Sequence, residues 1–306
     1  MESLKSKFIG CLVGSAIGDA LGRGFEGHWL SDTFDQEFTG RWTDDTHMMI
    51  GVTESLIEMK GFNGEHMARV FMRNYEMEPW RGYASGPPSV FRMIKSGVPW
   101  DEAAKRLFSG AGSYGNGAAM RVAPVGLLFY HDMEKLREVA EAQGKITHAH
   151  ELGLEGAALQ AYAVALALQA DRSFDLDPHL FLTNLRNFVR HEIYQFKLRK
   201  VEELLNCEDR RRVVRELGHG IEAFNSVPTA IYSFLRHSQS FQDAVLYAIN
   251  LGGDADTIGA MTGAISGAYH GAEAIPERWK NRLERKDYIE KLAEKLWETL
   301  KLFDSP

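Results

Sequence analysis

Apolar residues recur at intervals of three and four along most of the chain, the period of helices that bury one face. The pattern predicts helices over 4–21, 44–60, 64–75, 99–108, 118–129, 134–143, 151–169, 178–189, 213–223, 229–235, 241–250, 255–269 and 287–302. Alternating strand-like runs bounded by turn residues are scarce. Asn63-Gly64 and Asn116-Gly117 lack such flanks, so neither is read as a hairpin turn. No Pro-, Gly- or Ser-rich linker divides the chain, and no repeat of solenoid length is visible. The expectation is one all-α domain over residues 1–306.

Two of these helices carry a stripe of small residues. Gly10, Gly14, Gly18 and Gly22 are spaced by four, as are Gly259, Gly263, Gly267 and Gly271. Residues four apart share a helix face, so each stripe forms a shallow trench that another backbone can enter. Glycine inside a helix costs about 1 kcal/mol relative to alanine, and repeating it needs a compensating contact. Tight helix–helix packing supplies one, and it would hold rigid whatever lies at the helix ends.

Composition narrows the class without changing it. Of 306 residues, 44% are hydrophobic and 25% charged, which excludes collagen-like, coiled-coil and disordered chains. The formal charge of −7 argues against a nucleic-acid-binding surface or an anchor on anionic membranes. Cys11 and Cys207 form no close-spaced pair, so neither a disulfide scaffold nor a cysteine zinc site is indicated. Reduced cytoplasm is the expected compartment. Lys5 and Lys7 before Phe8–Ile17 imitate a signal peptide, but Gly14 and Gly18 interrupt the apolar run and Asp19 ends it. The run is too short for a span, so it is read as the first helix of the fold.

Acidic residues stand where two helices are predicted to begin. Thr43-Asp44-Asp45-Thr46 opens one, and Asp254-Ala255-Asp256-Thr257 opens the second glycine-striped helix. Either cluster alone is explained by N-capping. Capping accounts less well for adjacent carboxylates, which repel unless a cation lies between them. Hydroxyl and carboxylate oxygens are hard ligands for Mg²⁺, Mn²⁺ or Ca²⁺. With Glu26 ending a further Gly-rich turn, the two clusters point to a divalent, even binuclear, metal site.

Gly112-Ser113-Tyr114-Gly115-Asn116-Gly117 precedes another predicted helix, and the N–H groups of such a turn can bind phosphate. It is not a Walker A sequence, and a flexible surface loop is an equal reading. Thr147-His148 stands before the helix over 151–169, where a cap or structural histidine is the commoner role. Arg210-Arg211-Arg212, flanked by Glu208 and Asp209, is read as a solvated helix face.

Five segments together resemble the ADP-ribosylglycohydrolase family: Gly18-Asp19-Ala20-Leu21-Gly22, Trp42-Thr43-Asp44-Asp45-Thr46, Gly112–Arg121, Thr147-His148 and Leu251–Gly259. The loop followed by Met120-Arg121-Val122-Ala123 is most similar to the branch that cleaves serine-linked ADP-ribose, poly(ADP-ribose) and O-acetyl-ADP-ribose. The resemblance implies a compact orthogonal helical bundle holding two divalent cations, Mg²⁺ or Mn²⁺. It implies metal ligation by Thr43, Asp44, Asp45, Asp254, Asp256 and Thr257, with Glu26 reaching the same site from a flap. Catalysis would rest on Glu26, Asp44, Asp45 and Asp256. Gly112, Ser113, Tyr114, Gly115 and Asn116 would hold diphosphate and adenosine, with Phe108 sandwiching adenine against Tyr114. His148 and Gly86 would contact substrate.

The activity implied is metal-dependent hydrolysis at ribose C1″ of ADP-ribosylated proteins or small molecules, by a monomer with no nucleic-acid or membrane partner. Alternatives on the same site are an arginine-linked hydrolase, a non-catalytic ADP-ribose binder and a metal-dependent phosphodiesterase. Two departures stand out. Only residues 27 to 42 separate Glu26 from Thr43, a shortened flap, and Ala118 stands where relatives often have glycine. Asp32, Asp35 and Glu37 in that connection would favour an arginine leaving group if they lined the site.

Overall fold

The chain folds into helices joined by short turns, and the computed structural model describes residues 4–28 and 38–302. In order the helices are α1 (Leu4–Gly22), α2 (Asp44–Met59), α3 (Gly64–Met77), α4 (Gly86–Lys95), α5 (Gly117–Met120), α6 (Ala123–Leu128), α7 (Met133–Gly144) and α8 (Glu151–Gln169). They continue with α9 (Pro178–Phe188), α10 (Glu192–Leu204), α11 (Arg210–Leu217), α12 (Ala223–Arg236), α13 (Phe241–Ile249), α14 (Ala255–His270), α15 (Glu277–Lys280) and α16 (Lys286–Leu300). Among the described residues there is no strand, only an isolated antiparallel bridge between Gly115 and Glu222.

The two glycine stripes face one another. A Cβ built on Gly10, Gly14 or Gly18 would lie 2.5, 2.5 and 2.0 Å from the carbonyl oxygens of Gly267, Gly263 and Gly259 respectively. The converse holds for Gly259, Gly263 and Gly267 against Gly18, Gly14 and Gly10. The helices α1 and α14 therefore run antiparallel with their backbones in contact, a distance no other residue permits. Both are buried along nearly their whole length. Lys7 is compatible with this burial because its Nζ donates to the carbonyls of Leu168 and Ala170 at the end of α8, both at 2.9 Å.

The first helix lies where it was expected, but its apolar stretch is longer than the sequence reading of a run too short for a span. Continued by a 3₁₀ turn, Leu4–Phe25 is 22 residues long and apolar enough to cross a bilayer by length and composition, and 83% of its apolar window is buried within the fold.

Boundaries were legible where periodicity was strong, and several elements differ. The helix expected over 99–108 is a set of turns with a 3₁₀ segment at Ala104–Arg106. The helix expected over 118–129 is two short ones, with Pro124 opening the second. Helices α4 and α10 were not expected. Asn63 caps α3 by accepting from the His66 N–H, so Asn63-Gly64 is a helix start. Asp209 caps α11 through the Arg211 and Arg212 N–H groups, and Arg211 and Arg212 are exposed, as a solvated face requires. Cys11 and Cys207 are both free.

Candidate active site

Because α1 and α14 run antiparallel, the end of α1 meets the start of α14. A Cβ on Gly22 would touch the Ala255 carbonyl oxygen at 2.3 Å and the Asp256 Cα at 2.5 Å. The turn after α1 is laced to the segment before α14: Gly27 N–H donates to the Gly253 carbonyl at 2.8 Å, and Gly253 N–H to that of His28 at 3.0 Å. Gly253 has φ +68°, and a Cβ there would lie 2.1 Å from the His219 carbonyl oxygen, so only glycine serves. The result places Glu26 over Asp254 and Asp256, and one carboxylate oxygen from each lies within 4.8 Å of the others.

Asp19 joins the second acidic cluster to the first. Its buried carboxylate accepts from the N–H groups of Thr43 and Thr46, each at 3.0 Å, and from the Thr46 hydroxyl at 2.6 Å. These are unpaired donors at the start of α2, so Asp19 shares with Thr43 the capping expected of the cluster. Thr43 accepts from the Asp45 N–H at 3.4 Å. Asp254 makes no side-chain cap on α14, and its Oδ2 accepts instead from Asn116. Capping therefore leaves Asp44, Asp45 and Asp254 unexplained.

Electrostatics give those groups a reason. Burial raises the Asp44 carboxyl to about 7, with further push from Asp19, Asp254 and Glu26. Asp45 and Asp256 are raised well above the ordinary carboxylate range, first by burial, then by Asp256 and Asp254 respectively. Asp254 is raised by burial against the hydrogen bond from Asn116. Asp19 is raised to about 6 by burial despite its four hydrogen bonds. Asp45 Oδ1 is buried with no hydrogen-bond partner. Hard oxygen ligands packed so closely, one of them an orphaned carboxylate oxygen, fit a divalent cation.

Glu26, Asp44, Asp45, Asp254 and Asp256 wall one end of a cavity of about 400 Å³. Its other end is lined by Gly86, Phe108, Ser113, Gly115, Asn116 and His148. The Gly-rich loop is held in place rather than loose. Asn116 N–H donates to the Ile221 carbonyl at 2.9 Å, Ala223 N–H to that of Tyr114 at 3.1 Å, and Gly115 N–H to Ser113 Oγ at 3.1 Å. The His148 ring lies against the loop: a Cβ on Gly117 would sit 2.8 Å from its Cε1. Ala118 is fully buried, its methyl facing Gly144, so the departure there repacks the interior.

The aromatic pair is not symmetric about the cavity. Phe108 is on its lip, 65% exposed, with φ +52°, a left-handed backbone that is uncommon for a bulky residue. Tyr114, 47% exposed, and Gly112 do not line the cavity. The Tyr114 ring meets His150 edge-on at 5.5 Å and Phe224 at 6.0 Å. Gly86 opens α4 with nothing nearer than Leu107, 3.7 Å from a Cβ built there. Asp32, Asp35 and Glu37 lie outside the described residues.

A second cleft, about 530 Å³, shares Glu26, Thr43 and Gly82 with this cavity. Its floor is a charged network: Arg81 pairs with Glu284 at 2.7 and 2.8 Å and with Glu78 at 2.5 Å, and its guanidinium lies 3.7 Å over Trp42. Trp42 Nε1–H donates to the Glu284 carbonyl at 2.9 Å. The network clamps the residue preceding Thr43 and so fixes the start of α2.

The ADP-ribosylglycohydrolase family model matches residues 1–303. The chain belongs to the ADP-ribosylglycohydrolase family. It is 36% identical to ADP-ribosylhydrolase ARH3 of Homo sapiens, over 95% of this chain and 93% of that protein. To ARH3 of Xenopus tropicalis it is 39% identical over 95% of each. ADP-ribosylarginine hydrolase Tri1 of Serratia proteamaculans is 25% identical over 97% of this chain and 80% of its own length. A solved structure described as an ADP-ribosylglycohydrolase-related protein complex superposes with a TM-score of 0.76 at 26% identity, covering 98% of this chain and 99% of its own. The all-α bundle and hydrolase class expected from the sequence are both borne out.

Within this ADP-ribosylglycohydrolase fold, sequence reasoning missed Asp19 and Arg121. Asp19 was quoted in a matching segment but given no role, although an aspartate in an otherwise apolar helix is itself a signal. Arg121 lines the cavity and is fully buried, and no carboxylate forms an ion pair with it among the described residues. A charged residue between Met120 and Val122 in a run of small apolar residues carried the same signal.

Proposed function

We propose that this protein hydrolyses the glycosidic bond at ribose C1″ of O-linked ADP-ribose, serine-linked or O-acetyl, and releases ADP-ribose. The reading places two divalent cations, Mg²⁺ or Mn²⁺, among Thr43, Asp44, Asp45, Asp254, Asp256 and Thr257, with Glu26 at the mouth. The observation that carries it is the single cavity of about 400 Å³ joining the acidic cluster to the Gly-rich loop and His148. A diphosphate bound by a chain of charge −7 needs local donors, and loop N–H groups not used within the fold, with the buried Arg121 charge in the same lining, supply them. Bound divalent cations supply positive potential and Lewis acidity at the ribose hydroxyls.

The remaining steps fall to the chain itself. Phe108 and the loop hold the adenosine diphosphate end so that C1″ lies among the carboxylates. Departure of the leaving oxygen builds positive charge on the ribose, and Asp44, Asp45 and Asp256 stabilise it. Glu26, exposed and beside Asp254 and Asp256, passes a proton between the attacking water and the leaving oxygen. Preference for an O-linkage rests on the wording of the loop and on the higher identity to the ARH3 relatives than to the arginine hydrolase.

A panel of serine-linked, arginine-linked, polymeric and O-acetyl ADP-ribose, each with Mg²⁺, Mn²⁺ or chelator, tests the reading. ADP-ribose from the serine and acetyl substrates, abolished by chelator, is expected. AMP as product would make the protein a phosphodiesterase, binding without product would make it a receptor, and preference for the arginine substrate would reverse the linkage.

A further inference from the structure

His148 has two ring nitrogens, and only a protonated one can donate to an anionic ligand. Its ring borders the cavity against Gly115 and Gly117, while Nδ1 lies 2.8 Å from the Thr147 hydroxyl. That hydroxyl also meets Arg121 Nη1 at 2.8 Å. Guanidinium is only ever a donor, so Thr147 Oγ1 accepts from Arg121. Thr147 is 1% exposed, and no other partner for its hydroxyl is present among the described residues. If His148 carried its proton on Nδ1, the hydroxyl would receive two hydrogen bonds and its own hydrogen would be buried unpaired, a costly arrangement. With the hydroxyl donating to Nδ1, the guanidinium, the hydroxyl and Nδ1 all have partners, and Nε2–H is left for the cavity.

Arg121 is itself fixed. Its Nε donates to Gln143 Oε1 at 2.8 Å and Nη2 to the Gln143 carbonyl at 2.9 Å, with Phe71 4.7 Å beneath the guanidinium. The Gln143 amide is oriented in turn, since its Nε2 donates to the carbonyls of Ala118 and Ala140 at 2.9 and 3.1 Å. Burial lowers Arg121 to about 9, which leaves it charged at neutral pH. Burial, then the Arg121 charge, lowers His148 to about 3, which leaves the ring neutral.

We propose that Arg121 and Thr147 are positioning residues that lock neutral His148 in the Nε2–H tautomer, so that it presents one N–H donor to a diphosphate oxygen of the substrate. The second half of this statement rests on the functional reading above; the tautomer does not. The donor is made without adding charge at that position, so it recognises the anion at any pH where the fold persists. It grips a part of the substrate that does not change during reaction, so its loss raises KM and leaves kcat nearly unchanged.

Nitrogen-15 NMR of the histidine-labelled full-length protein, with His148 assigned by His148→Gln, reads the tautomer directly. An unprotonated Nδ1 and a protonated Nε2, invariant from pH 5.5 to 8, are expected. Thr147→Val should release the ring to a mixture of tautomers and weaken binding of ADP-ribose by the inverse of the fraction that stays Nε2–H, a loss that NMR and binding measure independently and that must agree. Thr147→Ser, which keeps the hydroxyl, should restore both. A wild-type ring protonated on Nδ1, or charged, overturns the proposal. So does unchanged ADP-ribose binding by a folded Thr147→Val protein whose tautomer has shifted. Wild-type protein that shows the Nε2–H tautomer but binds no ADP-ribose would instead overturn the functional reading and the diphosphate role, with the tautomer standing.

Discussion

Asp19 shows how one buried carboxylate organises a site without being at its centre. Fixing the first turn of α2 through Thr43 and Thr46 sets the direction of Asp44 and Asp45, so it acts on any bound cation at one remove. Asp19→Asn turns one acceptor oxygen into a donor facing N–H groups. It should weaken Mn²⁺ binding about 10- to 100-fold, the range for outer groups that orient ligands, while circular dichroism stays helical. Asp45→Asn should remove binding more completely and yet raise the melting temperature in chelator, because it deletes a buried charge that repels Asp256. Calorimetric titration with Mn²⁺ checks both, and wild-type affinity in Asp19→Asn would refute the positioning role. At the adenosine end, Phe108→Ala should raise KM more than it lowers kcat. Tyr114→Ala should disturb the contacts with His150 and Phe224 and affect KM less, because Tyr114 does not line the cavity. The acidic cluster was legible because carboxylates at two predicted helix starts exceed what capping uses. The roles of Asp19 and Arg121 were not, because they depend on which distant N–H or hydroxyl each side chain reaches.

Among the elements, the glycine stripes were the most informative pattern, and their meaning followed from spacing alone. Four-residue intervals on two helices predicted close backbone approach, and the pairing of Gly10 with Gly267, Gly14 with Gly263 and Gly18 with Gly259 realises it. Gly18→Ala would put a methyl carbon 2.0 Å from a carbonyl oxygen that belongs to a rigid helix. It should cost on the order of 3 kcal/mol or more, the upper part of the range for overpacking, and shift the end of α1 that carries Asp19. Gly86→Ala, with 3.7 Å to its nearest neighbour and an ordinary backbone, should leave stability within about 0.5 kcal/mol of wild type. Denaturant midpoints compare the two, and equal midpoints would remove the argument. The elements that escaped the sequence reading have local causes. In 192–204 the buried positions Tyr194, Leu198, Val201 and Leu204 do recur at helical spacing, but charged residues on the remaining faces dilute the pattern. Over 99–108 the apolar spacing is helical, yet the chain turns sharply to place Phe108 at the cavity lip. Tertiary demand there overrides propensity.

For the whole molecule, the acidic cluster couples folding to protons and cations. Asp19 and Asp44 are raised to about 6 and about 7, and Asp45 and Asp256 are also raised well above the ordinary carboxylate range, so the folded protein binds more protons than the unfolded chain above pH 4. Stability that these groups contribute is therefore full below about pH 4 and is lost as pH rises through their folded values. His47, lowered to about 4, His148, lowered to about 3, and His270, lowered to about 4, act in the opposite sense. Each is neutral when folded and charged when unfolded below about pH 6.5, so each costs stability as pH falls beneath that value. The two effects offset one another in acid, and above pH 6.5 the carboxylates act alone. Protein stripped by chelator should accordingly lose melting temperature from pH 6.5 to 8. A divalent cation bound there would take the place of the departing protons, and binding to the folded state alone adds about 2.7 kcal/mol at a hundred times its Kd. The increment from Mn²⁺ or Mg²⁺ should thus be larger at pH 8 than at pH 6.5, and Asp45→Asn should shrink it at both. Calorimetric scans at the two pH values, with chelator and with each cation, decide the point. A chelated protein whose melting temperature is flat across this interval, with equal increments at both ends, would mean that the clustered aspartates are held by something other than shared protons and cations.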